Sequence, residues 1–123
     1  MRIQESGEMY LEAIYVLSQK QVGVHAIDIS QHLGYSKPSV SRAMGILRRG
    51  GYITVDELSH IHLTEEGQAV AEKIYERHDI LSKMLIFLGV PEKTAIEDAC
   101  RLEHAISDES FAAIKAHFTD MKK

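Results

Sequence analysis

Apolar side chains recur every three or four residues through most of this chain, which is the spacing that places them on one face of an α-helix. Two shorter runs, 52–55 and 61–64, are instead rich in β-branched and aromatic residues, which favour strands. The sequence therefore predicts a mainly α-helical protein with one small β-hairpin. The residues on the predicted apolar faces are Tyr10, Ile14 and Leu17; Val40, Met44 and Leu47; Val70, Ile74, Leu81, Leu85 and Leu88; Ala95, Ala99, Leu102 and Ile106; and Phe111, Ile114 and Phe118.

Two capping signals flank the N-terminal half of the chain. Ser6 precedes a helix predicted over 8–20 and is its expected N-cap. Thr64 is followed by two glutamates, which complement the positive end of a helix dipole, so a long helix is predicted to begin there.

Between these signals the chain has the pattern of a helix-turn-helix. A short helix is predicted over 25–33, and Gly34 can end it in a left-handed conformation. Ser36 is the expected N-cap of the next helix, with Pro38 in its first turn, where a missing N–H costs little. Two short helices joined by a tight glycine-containing turn are typical of DNA-binding proteins, although a solvent-exposed helical hairpin fits the same periodicity.

The second of these helices presents small polar and basic side chains that could meet base edges and phosphates. Arg42, one turn into the helix, is the expected base contact, and Arg49 near its end is better placed for phosphate. The predicted DNA-binding residues are Ser36, Lys37, Pro38, Ser39, Ser41, Arg42 and Arg49.

The hairpin that follows this helix would be the wing of a winged helix-turn-helix. His60 and His62 lie in or beside it. We expect them to be surface residues of the wing rather than metal ligands, because no other candidate ligand joins them nearby in sequence.

A third pattern points to metal binding. In a helix, Cys100, Glu103 and His104 would gather beside one apolar stripe, so that a thiolate, a carboxylate and an imidazole share a patch. This donor set suits a late first-row divalent cation, but one helix cannot complete a coordination shell. His78 interrupts the apolar face of the preceding helix and could reach the patch. A partly buried cysteine beside a solvated Glu and His would fit the same spacing.

The composition of the chain restricts the class of protein but does not indicate its function. The chain has 123 residues, 45% hydrophobic and 26% charged, as in an ordinary globular protein, and its single cysteine excludes an internal disulfide. No secretory leader and no run of ~20 apolar residues is visible, so a cytoplasmic protein without membrane contact is expected.

Charge divides the chain into unlike halves. Residues 1–50 carry six Lys and Arg against four Asp and Glu, while residues 51–123 carry eight against fourteen. This asymmetry is compatible with a basic DNA-facing half and an acidic half that could hold a cation. The helices are also more apolar than one small subunit can cover, which predicts a homodimer.

With these residues assembled, the chain resembles the DtxR/MntR family of metal-dependent bacterial repressors. The resemblance implies a winged helix-turn-helix domain, which we expect over 1–66, and a helical metal-binding and dimerisation domain over 67–123. From the length of the chain we expect no counterpart of the SH3-like domain found in the iron branch. The matching segments are Glu8-Met9-Tyr10-Leu11, Ser36-Lys37-Pro38-Ser39-Val40-Ser41, Leu63-Thr64-Glu65-Glu66-Gly67, Arg77-His78 and residues 98–109.

The resemblance also implies a ligand set that mixes two branches of the family. Four residues match the iron-branch regulatory site, and two more, Glu12 and His78, match manganese-branch positions. Ser82 and Ile96 stand where the iron branch places a Glu and a His, so its ancillary site is expected to be lost. The implied metal ligands are Met9, Glu12, His78, Cys100, Glu103 and His104.

The function expected from all this is a cytoplasmic homodimeric repressor that binds double-stranded operator DNA. A divalent metal would be its corepressor, with Fe(II) favoured by the sulfur ligands and Mn(II) the alternative, and its targets would be metal-uptake or metal-homeostasis genes. A winged-helix repressor that senses oxidation of Cys100 without metal is a second hypothesis. An enzyme using Glu103 as a base beside a metal-bound water is not favoured, because no substrate pocket or second catalytic constellation is visible.

Overall fold

A computed structural model describes residues 5–121 of the chain. It confirms the expected class, mainly α-helical with one two-stranded antiparallel sheet. The predicted domains extend to residues 1 and 123, which lie outside the described residues. The elements are α1 (Glu5–Lys20), α2 (Ala26–Leu33), α3 (Lys37–Arg49), β1 (Ile53–Val55), β2 (Ile61–Leu63), α4 (Glu65–Phe87), α5 (Glu92–Ala105) and α6 (Asp108–Met121).

The chain forms two compact units that divide within α4, between Lys73 and Ile74. The domain boundary expected at residues 66 and 67 lies near the start of the same helix and stays a prediction. Among residues 5–121, no helix has both the length and the apolar character needed to cross a bilayer.

The N-terminal unit is a helix-turn-helix on a shared core. Leu11 and Ile14 of α1, Ile29 of α2 and Val40 of α3 are all fully buried in it. Gly34 ends α2 with φ 75°, a conformation that glycine adopts without steric cost. Ser36 caps α3 by accepting a hydrogen bond from the Ser39 N–H, so the local signals for this motif are confirmed.

The expectation for the start of α1 was wrong. Ser6 lies inside the helix, whose described part already begins at Glu5. Apolar periodicity starts only at Tyr10, so it could not mark a first turn made of polar residues. A serine tolerates a helical position as well as a cap, and spacing alone does not decide between them.

The predicted wing is present as an antiparallel pair in which Ile53 faces Leu63. Its turn is organised by Asp56, whose Oδ1 accepts hydrogen bonds from the N–H groups of Leu58 (2.8 Å) and His60 (3.0 Å). Its Oδ2 lies 2.8 Å from Nε2 of His62. The hydrogen bond with His62 is the largest influence, and with the two backbone N–H groups it lowers the pKa of Asp56 to about 2.

The start of α4 is held tightly against the wing. Thr64 caps the helix by accepting a hydrogen bond from the Gly67 N–H (3.2 Å), and the Thr64 hydroxyl donates to the Gly51 carbonyl. A Cβ at Gly67 would lie 2.0 Å from the carbonyl oxygen of Tyr52. Glycine is therefore required where this helix passes Tyr52, the residue just before β1.

In the C-terminal unit, Leu81 of α4, Ala99 of α5 and Phe111 of α6 are buried together. The predicted apolar stripe of α5 is only partly correct, because Leu102 is 41% exposed while Glu103 is 1% exposed. The buried face runs through Ala95, Ala99 and Glu103, two turns at intervals of four residues.

One residue of the predicted α4 stripe also falls outside the core. Leu88 lies beyond the end of the helix and is 63% exposed. The helix stops at Phe87, so the periodicity that placed Leu88 on the apolar face no longer applies to it.

Candidate metal centre and DNA-facing surface

Three of the implied ligands meet within the C-terminal unit. His78 lies on α4, and Cys100 and Glu103 lie one turn apart on α5. His78 Nδ1 is 2.9 Å from Glu103 Oε2 and 3.8 Å from Cys100 Sγ. One donor atom from each residue lies within 4.8 Å of the others, which is close enough for a single cation to bind all three.

The carboxylate of Glu103 is the electrostatic centre of this cluster. Its side chain is buried, and a buried carboxylate is costly unless positive charge or hydrogen-bond donors offset it. His104 Nε2 lies 3.3 Å from Oε1, so imidazole nitrogens face both carboxylate oxygens. Cys100 is exposed at the edge of the cluster. Sulfur, nitrogen and oxygen donors around a buried negative charge fit a borderline divalent cation.

Arg77 supports the cluster through contacts at the end of α5 and the start of α6. This role was not predicted from the sequence. Its buried guanidinium donates to the carbonyls of Glu103 (3.1 Å) and Ile106 (2.6 Å), and it forms an ion pair with Asp108. It also lies over the ring of Phe111, 5.5 Å from the centroid. Arg77 thus joins α4 to the end of α5 and the start of α6, which positions Glu103. The signal was a lone Arg three residues after Ile74, on a buried helix face.

The two positions that depart from the iron-branch pattern contribute no ligand. Ser82 is buried, and its hydroxyl donates to the carbonyl of His78 one turn earlier, at 2.7 Å. Ile96 is an apolar side chain at the surface of α5.

The remaining implied ligands, Met9 and Glu12, lie on α1 in the N-terminal unit, and both are partly buried. The Sδ of Met9 accepts a hydrogen bond from the Tyr35 hydroxyl at 3.7 Å. A role for either residue in metal binding stays a prediction.

The surface expected to face DNA lies along α3. Of the seven predicted contacts only Ser39 is partly buried, and the other six are exposed. Arg42 lies 3.5 Å from the Ser39 hydroxyl, near the capped start of the helix. An open groove of about 490 Å³ separates α3 from the wing, and its lining includes Ser41, Gly45 and Arg48. Arg48, which was not among the predicted contacts, joins Lys37, Arg42 and Arg49 as a fourth exposed cation on this helix.

These features define a class of protein, a winged-helix regulator whose second unit carries a candidate metal centre. Comparison with protein-family models agrees for both parts. Residues 2–61 match the N-terminal DNA-binding domain of iron-dependent repressors, and residues 64–123 match their metal-binding and dimerisation domain.

Individual relatives point the same way. An uncharacterised HTH-type transcriptional regulator of Methanocaldococcus jannaschii is 35% identical over 120 residues, covering 96% of each chain. The iron-dependent repressor IdeR of Mycobacterium tuberculosis is 32% identical over 106 residues, covering 85% of this chain and 46% of that protein. The transcriptional regulator MntR of Escherichia coli is 32% identical, covering 86% of this chain and 68% of that one.

Among solved structures, the manganese regulator SloR superposes with a TM-score of 0.83 at 26% identity, over 97% of this chain and 55% of that one. The chain belongs to the DtxR/MntR family of metal-dependent transcriptional repressors. Members of this family are DNA-binding repressors and not enzymes. The chain spans about half the length of the iron-dependent repressors it matches, 46% in the case of IdeR.

Proposed function

We propose that this chain is a cytoplasmic homodimeric repressor whose affinity for operator DNA increases when a divalent metal binds. The observation that carries the proposal is the cluster of His78, Cys100 and Glu103, which lies in the part of the chain that matches a metal-binding domain. Its targets would be genes of metal uptake or metal homeostasis.

The chain's own residues supply what such a site needs. Cys100 must lose its proton to bind a metal, and its exposure gives that proton access to solvent. Glu103 is held through its backbone by Arg77, so the carboxylate is positioned before any ligand arrives. A bound cation would supply the positive charge that the thiolate and the buried carboxylate lack. His104, and Met9 and Glu12 of α1, complete the proposed ligand set on the strength of the family resemblance.

The proposed coupling to DNA follows from where the ligands sit in the chain. Ligands contributed by both the first helix and the C-terminal domain would restrict the position of α3, and a dimer must place two recognition helices about one DNA turn, ~34 Å, apart. Metal-binding free energy then contributes to DNA binding, and DNA in turn strengthens metal binding by the same factor.

Fe(II) is the favoured corepressor. Met9 and Cys100 provide sulfur, for which Fe(II), Co(II) and Ni(II) have more affinity than Mn(II), an ion that prefers oxygen. Glu12 and His78 offer a harder set that would suit Mn(II) if Cys100 did not bind. Replacing Met9 by Asp and Cys100 by Glu exchanges sulfur for oxygen at unchanged spacing, and should shift activation toward Mn(II). An unchanged order of activation by the two metals would rule out sulfur as the basis of selectivity.

The central experiment is an anisotropy titration of the promoter DNA of its own gene, under anaerobic conditions, with Fe(II) or Mn(II). Metal should tighten binding at least tenfold, and Cys100→Ser should remove most of that gain for Fe(II). His117→Ala, at an exposed position on α6, is the matched control and should behave as wild type. Equal DNA affinity with and without metal would refute the proposal.

The same titration separates the alternative, in which oxidation of Cys100 regulates DNA binding without metal. That hypothesis is favoured by the exposure of the thiol and its distance of 3.8 Å from an imidazole nitrogen. It predicts a response to peroxide in metal-free protein that Cys100→Ser abolishes. A response to metal in fully reduced protein favours the metal-dependent mechanism.

A further inference from the structure

Three histidines and one aspartate lie together at the turn of the wing, within the N-terminal unit. From the sequence, His60 and His62 were expected to be surface residues of the wing with no further ligand beside them. The hairpin supplies one, because Asp56 Oδ2 lies 2.8 Å from His62 Nε2 and 3.5 Å from His60 Nδ1. The ring of His25 packs against that of His60 with centroids 4.6 Å apart.

The carboxylate at the centre of this group is already oriented. The backbone N–H groups of Leu58 and His60 donate to Asp56 Oδ1, which leaves Oδ2 directed at the two imidazoles. Supporting hydrogen bonds of this kind are what position the ligands of metal sites in proteins.

The ring of His60 is also constrained. A Cβ at Gly23 would lie 2.6 Å from its Nε2, so the ring occupies space that only glycine leaves open. With His25 packed edge-on against it, His60 keeps Nδ1 toward Asp56. His25 is itself held by a contact of 3.3 Å between its Nε2 and the Leu58 carbonyl. Two of the three donors are therefore in place in the folded wing.

We propose that Asp56, His60 and His62 form a second cation site, selective for a borderline divalent ion such as Zn(II) or Co(II). Two donors on one tetrahedral Zn(II) ion, with bonds of about 2 Å, lie about 3.4 Å apart. The separation of 3.5 Å between Asp56 and His60 matches this value. Asp56 Oδ2 and His62 Nε2 are 2.8 Å apart. This distance must increase by about half an ångström when an ion replaces the proton between them.

Closing the site onto one ion requires His62 to move toward His60, since their ring centroids are 6.4 Å apart. The side chain of His62 is 54% exposed, so no packed neighbour blocks its rotation once the hydrogen bond to Asp56 is exchanged for a metal bond. Two imidazoles and one carboxylate favour late first-row ions and leave coordination positions for water. The absence of sulfur distinguishes this site chemically from the cluster around Cys100.

The experiment is a Co(II) titration of the full chain, followed by absorption and by equilibrium dialysis. Asp56→Asn is the decisive variant, because the amide oxygen can still accept both turn hydrogen bonds while an NH₂ group replaces Oδ2. It should bind one Co(II) fewer per chain, or bind that ion at least tenfold more weakly. His62→Ala should give the same loss, and His117→Ala should give none.

The spectrum separates this site from the one proposed around Cys100. Thiolate-to-Co(II) charge transfer reports Cys100 alone, so Asp56→Asn should keep that band, and Cys100→Ser should lose it while keeping the wing ion. Equal stoichiometry and affinity for wild type and Asp56→Asn would overturn the proposal, whatever happens to the thiolate band. Thermal unfolding of each variant confirms that the wing is still folded.

Discussion

Arg77 shows how strongly one buried side chain can determine the C-terminal unit. We expect Arg77→Ala to lower the free energy of unfolding by roughly 3 kcal/mol, because the carbonyls of Glu103 and Ile106 lose a shared donor. Urea denaturation measures this change. Arg101→Ala is the control, since Arg101 forms an exposed pair with Asp98 that should contribute less than about 1 kcal/mol. Similar losses for both variants would contradict the role given to Arg77.

Glu103 is a second buried charged side chain on which the C-terminal unit depends. An ionised carboxylate in a buried position gains stability from the imidazoles on either side of it, and more from a cation. A divalent cation bound beside Glu103 should therefore add to the stability of the folded protein.

At the scale of an element, α4 depends on a glycine in its first turn. Gly67→Ala should destabilise the protein by roughly 2–3 kcal/mol, because the added methyl would overlap the carbonyl oxygen of Tyr52, which accepts a hydrogen bond from the Thr64 N–H. Gly45 is the contrasting position, where the nearest group to a Cβ is the flexible Arg49 guanidinium at 3.4 Å. Gly45→Ala should stabilise α3 by up to about 1 kcal/mol. Thermal melts that moved both variants in the same direction would disagree with this contrast.

The recognition helix α3 is expected to divide its contacts with DNA. Arg42→Ala should cost roughly 1–3 kcal/mol of operator binding and relax specificity at one base pair. Arg49→Ala should weaken specific and random DNA alike and reduce the salt dependence of binding. Competition titrations with operator and random duplexes measure both effects. If Arg42→Ala reduced binding to the two duplexes equally, it would not contact a base.

For the whole molecule, exposed apolar side chains in the C-terminal unit favour self-association. Phe87 and Leu88 are 56% and 63% exposed, at and just beyond the end of α4. Leu88→Glu should shift the chain from dimer to monomer in sedimentation experiments with little effect on folding, because the residue contacts no core. Val22→Glu, at a fully exposed position of the N-terminal unit, should leave the dimer intact. A dimer unaffected by Leu88→Glu would place the interface elsewhere.

The sequence by itself determined the elements whose signals are local. These signals act over only a few residues; examples are the Ser36 cap, the Gly34 turn and the spacing of Val40 and Met44. The helix-turn-helix and the wing could therefore be predicted from the chain alone. The candidate ligands on α5 were visible for the same reason, since one helical turn brings Cys100 beside Glu103.

Only the tertiary structure decided which side chains meet across the fold. His78 contacts Glu103, 25 residues away, and Arg77 contacts Asp108. Both contacts depend on how α4, α5 and α6 pack together. Periodicity placed Leu102 in the core, but close packing of the small residues of α5 buries Glu103 instead. Helix spacing determines which residues share a face. Packing determines which neighbouring element covers that face, so the burial of Glu103 could be learned only from the tertiary structure.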